Sequence, residues 1–295
     1  MVLRVSNCSP HPSGLLRLDD FAALRVSGED RVDFLQGQLS QDMGRVTPSQ
    51  AAPAAWCNRQ GRVLCLTVAV DWQDAIFLIL PGGMAETCAD GLGRYILRAK
   101  VRIEVVPEPI FGCTLPAGEH VPAPGEGETP SFPGEAWQCS GAPEFCAVRV
   151  PGDDSRAMVL GKPPAELAAG GDSVWTAERW RLADIEAEIP WVDSDTSGKF
   201  LAHSLNLDLS GAVSFTKGCY VGQEIIARME HRGRPKRRMR RLRLPPGVEI
   251  RSGARAEHPE LGAVTVIGAA LAGEQTEVLA EVRLTQDPGQ LPIQQ

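Results

Sequence analysis

Two strand-sized apolar runs, Val63 to Val70 and Ala75 to Leu80, are parted only by Asp71 to Asp74. So short a link joins antiparallel neighbours, because parallel strands need a crossover of a dozen or more residues. Arg59-Gln60-Gly61 makes a second tight turn, between an extended Ala54 to Asn58 and a strand from Arg62 to Val70. Upstream, Phe21 to Val26 reads as a strand. Ser27, with Asp30 three residues on, is expected to cap a helix whose apolar face carries Val32, Leu35, Leu39 and Met43. Downstream, Pro81-Gly82-Gly83 breaks the chain before a helix near Met84 to Leu97, and Val101 to Val106 is a strand. The order strand, helix, three strands, helix, strand predicts an α+β fold with antiparallel sheets. It excludes a doubly wound nucleotide-binding sheet.

Pro116 to Gly134 is rich in proline and glycine and reads as a surface loop. A second α+β unit follows, with strands near Trp137 to Cys139, Phe145 to Val150 and Ala157 to Leu160. Helices are expected near Ala165 and over Thr176 to Glu188. Past Gly233 the helical period disappears. Arg238 to Leu244, Gly247 to Ile250, Gly262 to Ala270 and Glu277 to Leu284 predict a small C-terminal β-barrel. The expected units are residues 1–110, residues 111–232 and residues 233–295.

The 295 residues carry 30 basic and 37 acidic side chains, net −7, so the chain as a whole is not built to bind a polyanion and no direct DNA binding is expected. No basic segment leads into a long apolar run, and no apolar stretch approaches membrane-spanning length. A monomeric cytoplasmic protein without membrane contact is the expectation. Eight cysteines occur with no Cys-x-x-Cys and no Cys/His cluster, which argues for free thiols and no metal site.

One cysteine stands apart. Lys217-Gly218-Cys219-Tyr220-Val221-Gly222-Gln223-Glu224 gathers a cation, a thiol, a phenol, an amide and a carboxylate between two glycines, just before the apolar helical run Ile225, Ile226, Ala227, Met229. A helix start and a nearby lysine both favour thiolate over thiol. The bland alternative is a turn into a helix, with Glu224 and Arg228 as an ordinary i,i+4 surface pair.

This octapeptide resembles the signature of the YgfZ-type folate-binding proteins, relatives of the glycine-cleavage T-protein (aminomethyltransferase). Trp180 to Pro190, Ser197 to Leu207 and Arg228 to Arg238 resemble the segments around that signature. Val26 to Met43 and Asn58 to Leu64 resemble the family's N-terminal folate-domain segments. The resemblance implies two folate-binding-type α+β units around a central cavity, with tetrahydrofolate as cofactor. It implies a role in assembly or repair of iron–sulfur clusters in client enzymes, and in tRNA modification, with iron–sulfur client or assembly proteins as partners. Cys219 would be the functional centre, tuned by Lys217 and oriented by Tyr220, Gln223 and Glu224, with Gly218 and Gly222 permitting the turn and Arg228 extending the motif. Asn58, Arg62 and Asp153 would face the folate. Ala202-His203, Glu186 and Glu188 depart from the family pattern.

T-protein enzymes carry an aspartate just after the turn that corresponds to Asn58 to Arg62. Here the stretch is Val63-Leu64-Cys65-Leu66, without a carboxylate, so aminomethyl transfer is expected to be lost while the cavity survives. An active tetrahydrofolate-dependent aminomethyl- or methyltransferase is the alternative. Arg228 to Arg243 holds nine Lys and Arg residues in sixteen. It reads either as a solvated strand or as a patch for an anion such as polyglutamate, RNA or an acidic partner.

Overall fold

The computed structural model describes residues 14–114, 133–152, 156–163, 175–245 and 247–284. Three antiparallel sheets organise them. The first has the order β3-β4-β5-β2-β6, built from β2 (Phe21–Ser27), β3 (Ala52–Cys57), β4 (Val63–Trp72), β5 (Ala75–Pro81) and β6 (Arg102–Val106). The second has the order β1-β7-β10-β9-β8, built from β1 (Leu16–Arg17), β7 (Ile110–Thr114), β8 (Cys139–Ala142), β9 (Phe145–Arg149) and β10 (Arg156–Gly161). The third runs β11-β14-β13-β12, built from β11 (Arg237–Leu244), β12 (Arg255–His258), β13 (Gly262–Ala272) and β14 (Gln275–Arg283).

The β4–β5 turn has the expected form. Gln73 and Asp74 both hold positive φ, 50° and 56°, the primed geometry whose twist matches that of the flanking strands. Period-two alternation then divides the strands between two cores. Val68, Val70, Phe77 and Ile79 face the second sheet, meeting Val148, Met158 and Leu160. Ala69, Ile76 and Leu78 face the helices α1 (Arg31–Gln38) and α2 (Ala85–Gly93) through Leu35, Cys88 and Leu92. Fully burying a side chain such as Phe77 contributes about 1.5–3 kcal/mol.

Three expectations are corrected. Ser27 does not cap α1. It closes β2, and Asp30 flanks the helix with its carboxylate turned to the Lys100 amide, 2.7 Å away. The C-terminal strands form an open four-stranded sheet, with no closed barrel among the described residues. Its β13 packs against helix α3 (Ala177–Glu186), which covers one face and removes the need for closure. The expected strand at Gly247 to Ile250 is absent, and β12 appears instead. Of the loop expected over Pro116 to Gly134, residues 116–132 lie outside the described residues, as do the helix expected near Ala165 and the acidic residue Asp153.

Helix α3 begins as its sequence predicts, with the Thr176 hydroxyl accepting from the Arg179 amide at 3.1 Å. Helix α4 (Gln223–Arg232) follows the cysteine motif. Among the described residues, no helix is long and apolar enough to cross a membrane.

Candidate functional site

The motif loop packs on the first sheet and α1. Ser40 begins the seam. Its hydroxyl donates to the Ala212 carbonyl at 2.6 Å and accepts from the Ala55 amide at 2.8 Å, while its carbonyl accepts from the Ser214 amide at 2.9 Å. Gln41 donates to the Gly211 carbonyl. Lys217 completes it, its Nζ donating to the carbonyls of Gln36, Leu39 and Gln41 at 2.7, 2.7 and 2.8 Å. These carbonyls mark the end of α1, where backbone acceptors lack helical partners and a cation is favoured. Burial pulls Lys217 down to about 8, against the attraction of Asp42. The ammonium therefore serves as a clamp between α1 and the loop.

On the other flank, Gly222 meets the β3–β4 turn. Its φ is +85°, and a Cβ there would stand 2.5 Å from the Asn58 carbonyl oxygen and 3.2 Å from the Gly61 Cα. A Cβ on Gly61 would in turn meet the Ile225 side chain at 3.0 Å. Two motifs about 160 residues apart in sequence thus dock backbone to backbone at paired glycines. Asn58 holds the turn itself, its Oδ1 accepting from the amides of Gln60 and Arg62 at 3.0 Å each.

Cys219 lies between these two anchors and is exposed, whereas the six other described cysteines are buried. Burial pushes the thiols of Cys57 and Cys113 up to about 12. Cys65 is raised by its hydrogen bond with Cys88 and by burial. Its position on β4 is fully buried, with no carboxylate in Val63 to Leu66.

Tyr220 is buried in the core shared with Ile226, Phe200 and Leu66, and its hydroxyl has no hydrogen-bond partner. Burial, then the neighbouring Cys57, raises its phenol well above the ordinary range. Its ring lies 5.0 Å from Lys217 Nζ. Gln223 donates to the Gly218 carbonyl at 3.4 Å. Glu224 and Arg228 are exposed on α4 and form no ion pair with each other. Neither Tyr220, Gln223 nor Glu224 hydrogen-bonds the Cys219 thiol, so packing and Lys217, not a side-chain network, position the loop. At Gly218 a Cβ would meet nothing within 4 Å, and φ is not positive.

A cleft of about 560 Å³ opens elsewhere, between the β1–β2 turn, α3, residues 189–193 and the third sheet. Trp180, Trp191, Phe21, Asp184 and Arg251 are among its walls. Asp184 is its buried charge. It accepts from Arg156 at 2.7 Å and from Trp191 Nε1 at 2.9 Å. Burial raises its carboxyl, and Arg156 opposes the rise. Neither Asn58 nor Arg62 reaches this cleft; Arg62 faces a second one. Asp184, Trp191 and Arg251 are not among the site residues expected from the sequence. For Asp184 and Trp191 the signal lay in two tryptophans bracketing three acids between 180 and 191, and nothing in the sequence singled out Arg251.

His203 is buried, 3.3 Å from Glu230 on α4, as a satisfied polar residue would be. His203, Asp208 and Glu230 bring ligand-type atoms within 4.8 Å of one another, but both Asp208 oxygens already take the Arg238 guanidinium, at 2.6 and 2.8 Å. In the arginine-rich stretch, four of the nine cations are likewise paired with carboxylates, among them Arg238 with Asp208. Arg241 and Arg243 converge on Glu277, and Arg237 meets Glu281.

No family model matches the chain. It is similar to the tRNA-modifying protein YgfZ of Klebsiella pneumoniae, 29% identical over 306 residues that cover 96% of this chain and 84% of that protein. It is also similar to the tRNA-modifying protein YgfZ of Colwellia psychrerythraea, 28% identical over 76% of this chain and 69% of the relative. In structure it resembles the glycine cleavage system aminomethyltransferase T of Bartonella henselae, with a TM-score of 0.64 over 92% of this chain and 78% of that one, at 16% identity.

Proposed function

Because this chain is a YgfZ-type relative built on the aminomethyltransferase fold, we propose that it is a folate-binding accessory protein that supports assembly or repair of iron–sulfur clusters in client enzymes. The names of its relatives point to tRNA-modifying enzymes among those clients. The observation that carries the reading is the presentation of Cys219. It is the exposed thiol among seven described cysteines, on a loop fixed at both ends by Lys217 and Gly222.

The 560 Å³ cleft suits a reduced folate in size and chemistry. Trp191 and Phe21, both half-buried, offer apolar faces to a flat ring system, with buried Trp180 behind them. Arg251, which has no carboxylate partner among the described residues, suits an acidic tail. Bound there, a folate would supply one-carbon or reducing chemistry; the chain's own part is to hold and orient it. With Cys65 and Leu66 where a carboxylate is needed, the chain does not carry out aminomethyl transfer.

Calorimetric titration with tetrahydrofolate, paired with a glycine-cleavage assay on the same sample, tests this. Binding without turnover is expected. At 100 times Kd the folate should add about 2.7 kcal/mol to stability. No heat and no thermal shift at millimolar folate would refute the folate reading, and turnover well above background would favour the transferase.

A further inference from the structure

The second cleft, about 490 Å³, lies between Arg62 at the start of β4, residues 199–200 and the third sheet, away from the cleft assigned above to folate. Its walls include Arg62, Lys199, Arg237 and Arg255, against a single acidic side chain, Glu281. Elsewhere three arginines of β11 are matched to carboxylates, and Arg240 is exposed outside the cleft. Arg238 forks onto Asp208, and Arg241 and Arg243 share Glu277. Arg62, Lys199 and Arg255 have no carboxylate within ion-pairing range among the described residues, and Arg237 makes one 3.3 Å contact to Glu281. In a chain of net charge −7, this local excess of positive charge is built by the fold.

The backbone holds the cations in place. Arg62 is fixed at the β3–β4 turn, and its guanidinium donates to the Lys199 carbonyl at 2.5 Å. Residues 197–201 are themselves laid along the start of β4. The Val63 amide donates to Phe200, the Gly198 amide to Val63, and the Ser197 hydroxyl to Leu64. Gly253 leaves room for Lys199, since a Cβ there would stand 2.9 Å from its Nζ. Arg255 projects from β12, opposite Thr265.

We propose that this cleft binds the phosphate oxyanions of a phosphate-ester ligand. Guanidinium forks match phosphate oxygens bidentately, and several unneutralised cations exceed what one carboxylate would offset. The aromatic wall residue, Phe200, is buried and offers no open face for stacking a base. Recognition is therefore by charge and not by base. Such phosphates belong either to a nucleic-acid backbone or to a small phosphorylated molecule.

The test is calorimetric titration of tripolyphosphate into the full chain, with a short RNA and a glutamate pentapeptide as competitors. Tripolyphosphate should bind, more weakly as salt rises. The Lys199→Gln and Arg255→Gln variants should each weaken it about tenfold or more, as loss of a charge-assisted hydrogen bond predicts. Arg240→Gln, which removes an exposed charge outside the cleft, should leave binding unchanged. Displacement by RNA assigns the phosphates to a nucleic acid; binding that RNA fails to displace assigns them to a small ligand. Either supports the proposal. No binding at millimolar tripolyphosphate, equal weakening by Arg240→Gln, or equally tight binding of the glutamate peptide would overturn it. None of these outcomes touches the folate reading, which concerns the other cleft.

Discussion

Gly222 and Asn58 meet backbone against backbone, so closely that a Cβ on the glycine would lie 2.5 Å from the asparagine carbonyl oxygen. This contact fixes where the cysteine loop ends and α4 begins. Gly222→Ala should therefore cost about 2–4 kcal/mol, combining left-handed backbone strain with overpacking. Gly218→Ala, where space is open and φ is ordinary, should stay within about 0.5 kcal/mol of the parent. Chemical denaturation of the two variants measures the difference. Equal effects would show that the glycine contact does not hold the loop.

Lys217 fixes the opposite flank. Lys217→Met leaves three carbonyls without their donor and should destabilise the fold by about 1.5–3 kcal/mol, the range for hydrogen bonds to a charged group. Thermal unfolding reads this directly. A variant as stable as the parent would mean that the seam between α1 and the loop rests on Ser40 and Gln41 alone.

Much of this arrangement was legible in the sequence, and the limit is physical. The β4–β5 hairpin followed from a four-residue link between apolar runs, and α3 runs within the helix expected over Thr176 to Glu188. The motif itself stood out by composition. Its contacts did not, because nothing local to Lys217 says that its ammonium spans to residues 36–41. The same holds for Tyr220, whose polar atom suggested a role in orienting the thiol although the fold buries it. The expected barrel reduced to an open sheet because α3, distant in sequence, supplies the covering face.

Acid stability isolates the C-terminal sheet. Hydrogen bonds from Arg241 and then Arg243 hold the Glu277 carboxyl below its usual 4.5. A carboxyl depressed on folding contributes stability that is present above the unfolded value and lost as pH falls through the folded one. Unfolding followed from pH 6 downward should show stability falling below about 4.5. Glu277→Gln should flatten that part of the profile while lowering stability at neutral pH. A variant profile parallel to the parent's would assign the acid sensitivity to other carboxylates.

The central claim concerns Cys219. Being exposed where the other described cysteines are buried, it should be alkylated ahead of Cys57, Cys65, Cys88, Cys113, Cys139 and Cys146. Cys219→Ala should leave stability and tetrahydrofolate binding close to the parent, because the thiol packs against nothing that the fold requires. The most direct measurement is the activity of iron–sulfur enzymes in cells that lack the native protein and carry either the parent or Cys219→Ala. The account predicts recovery with the parent and none with the alanine variant at equal protein levels. Full recovery with Cys219→Ala would contradict it and leave the thiol a structural residue.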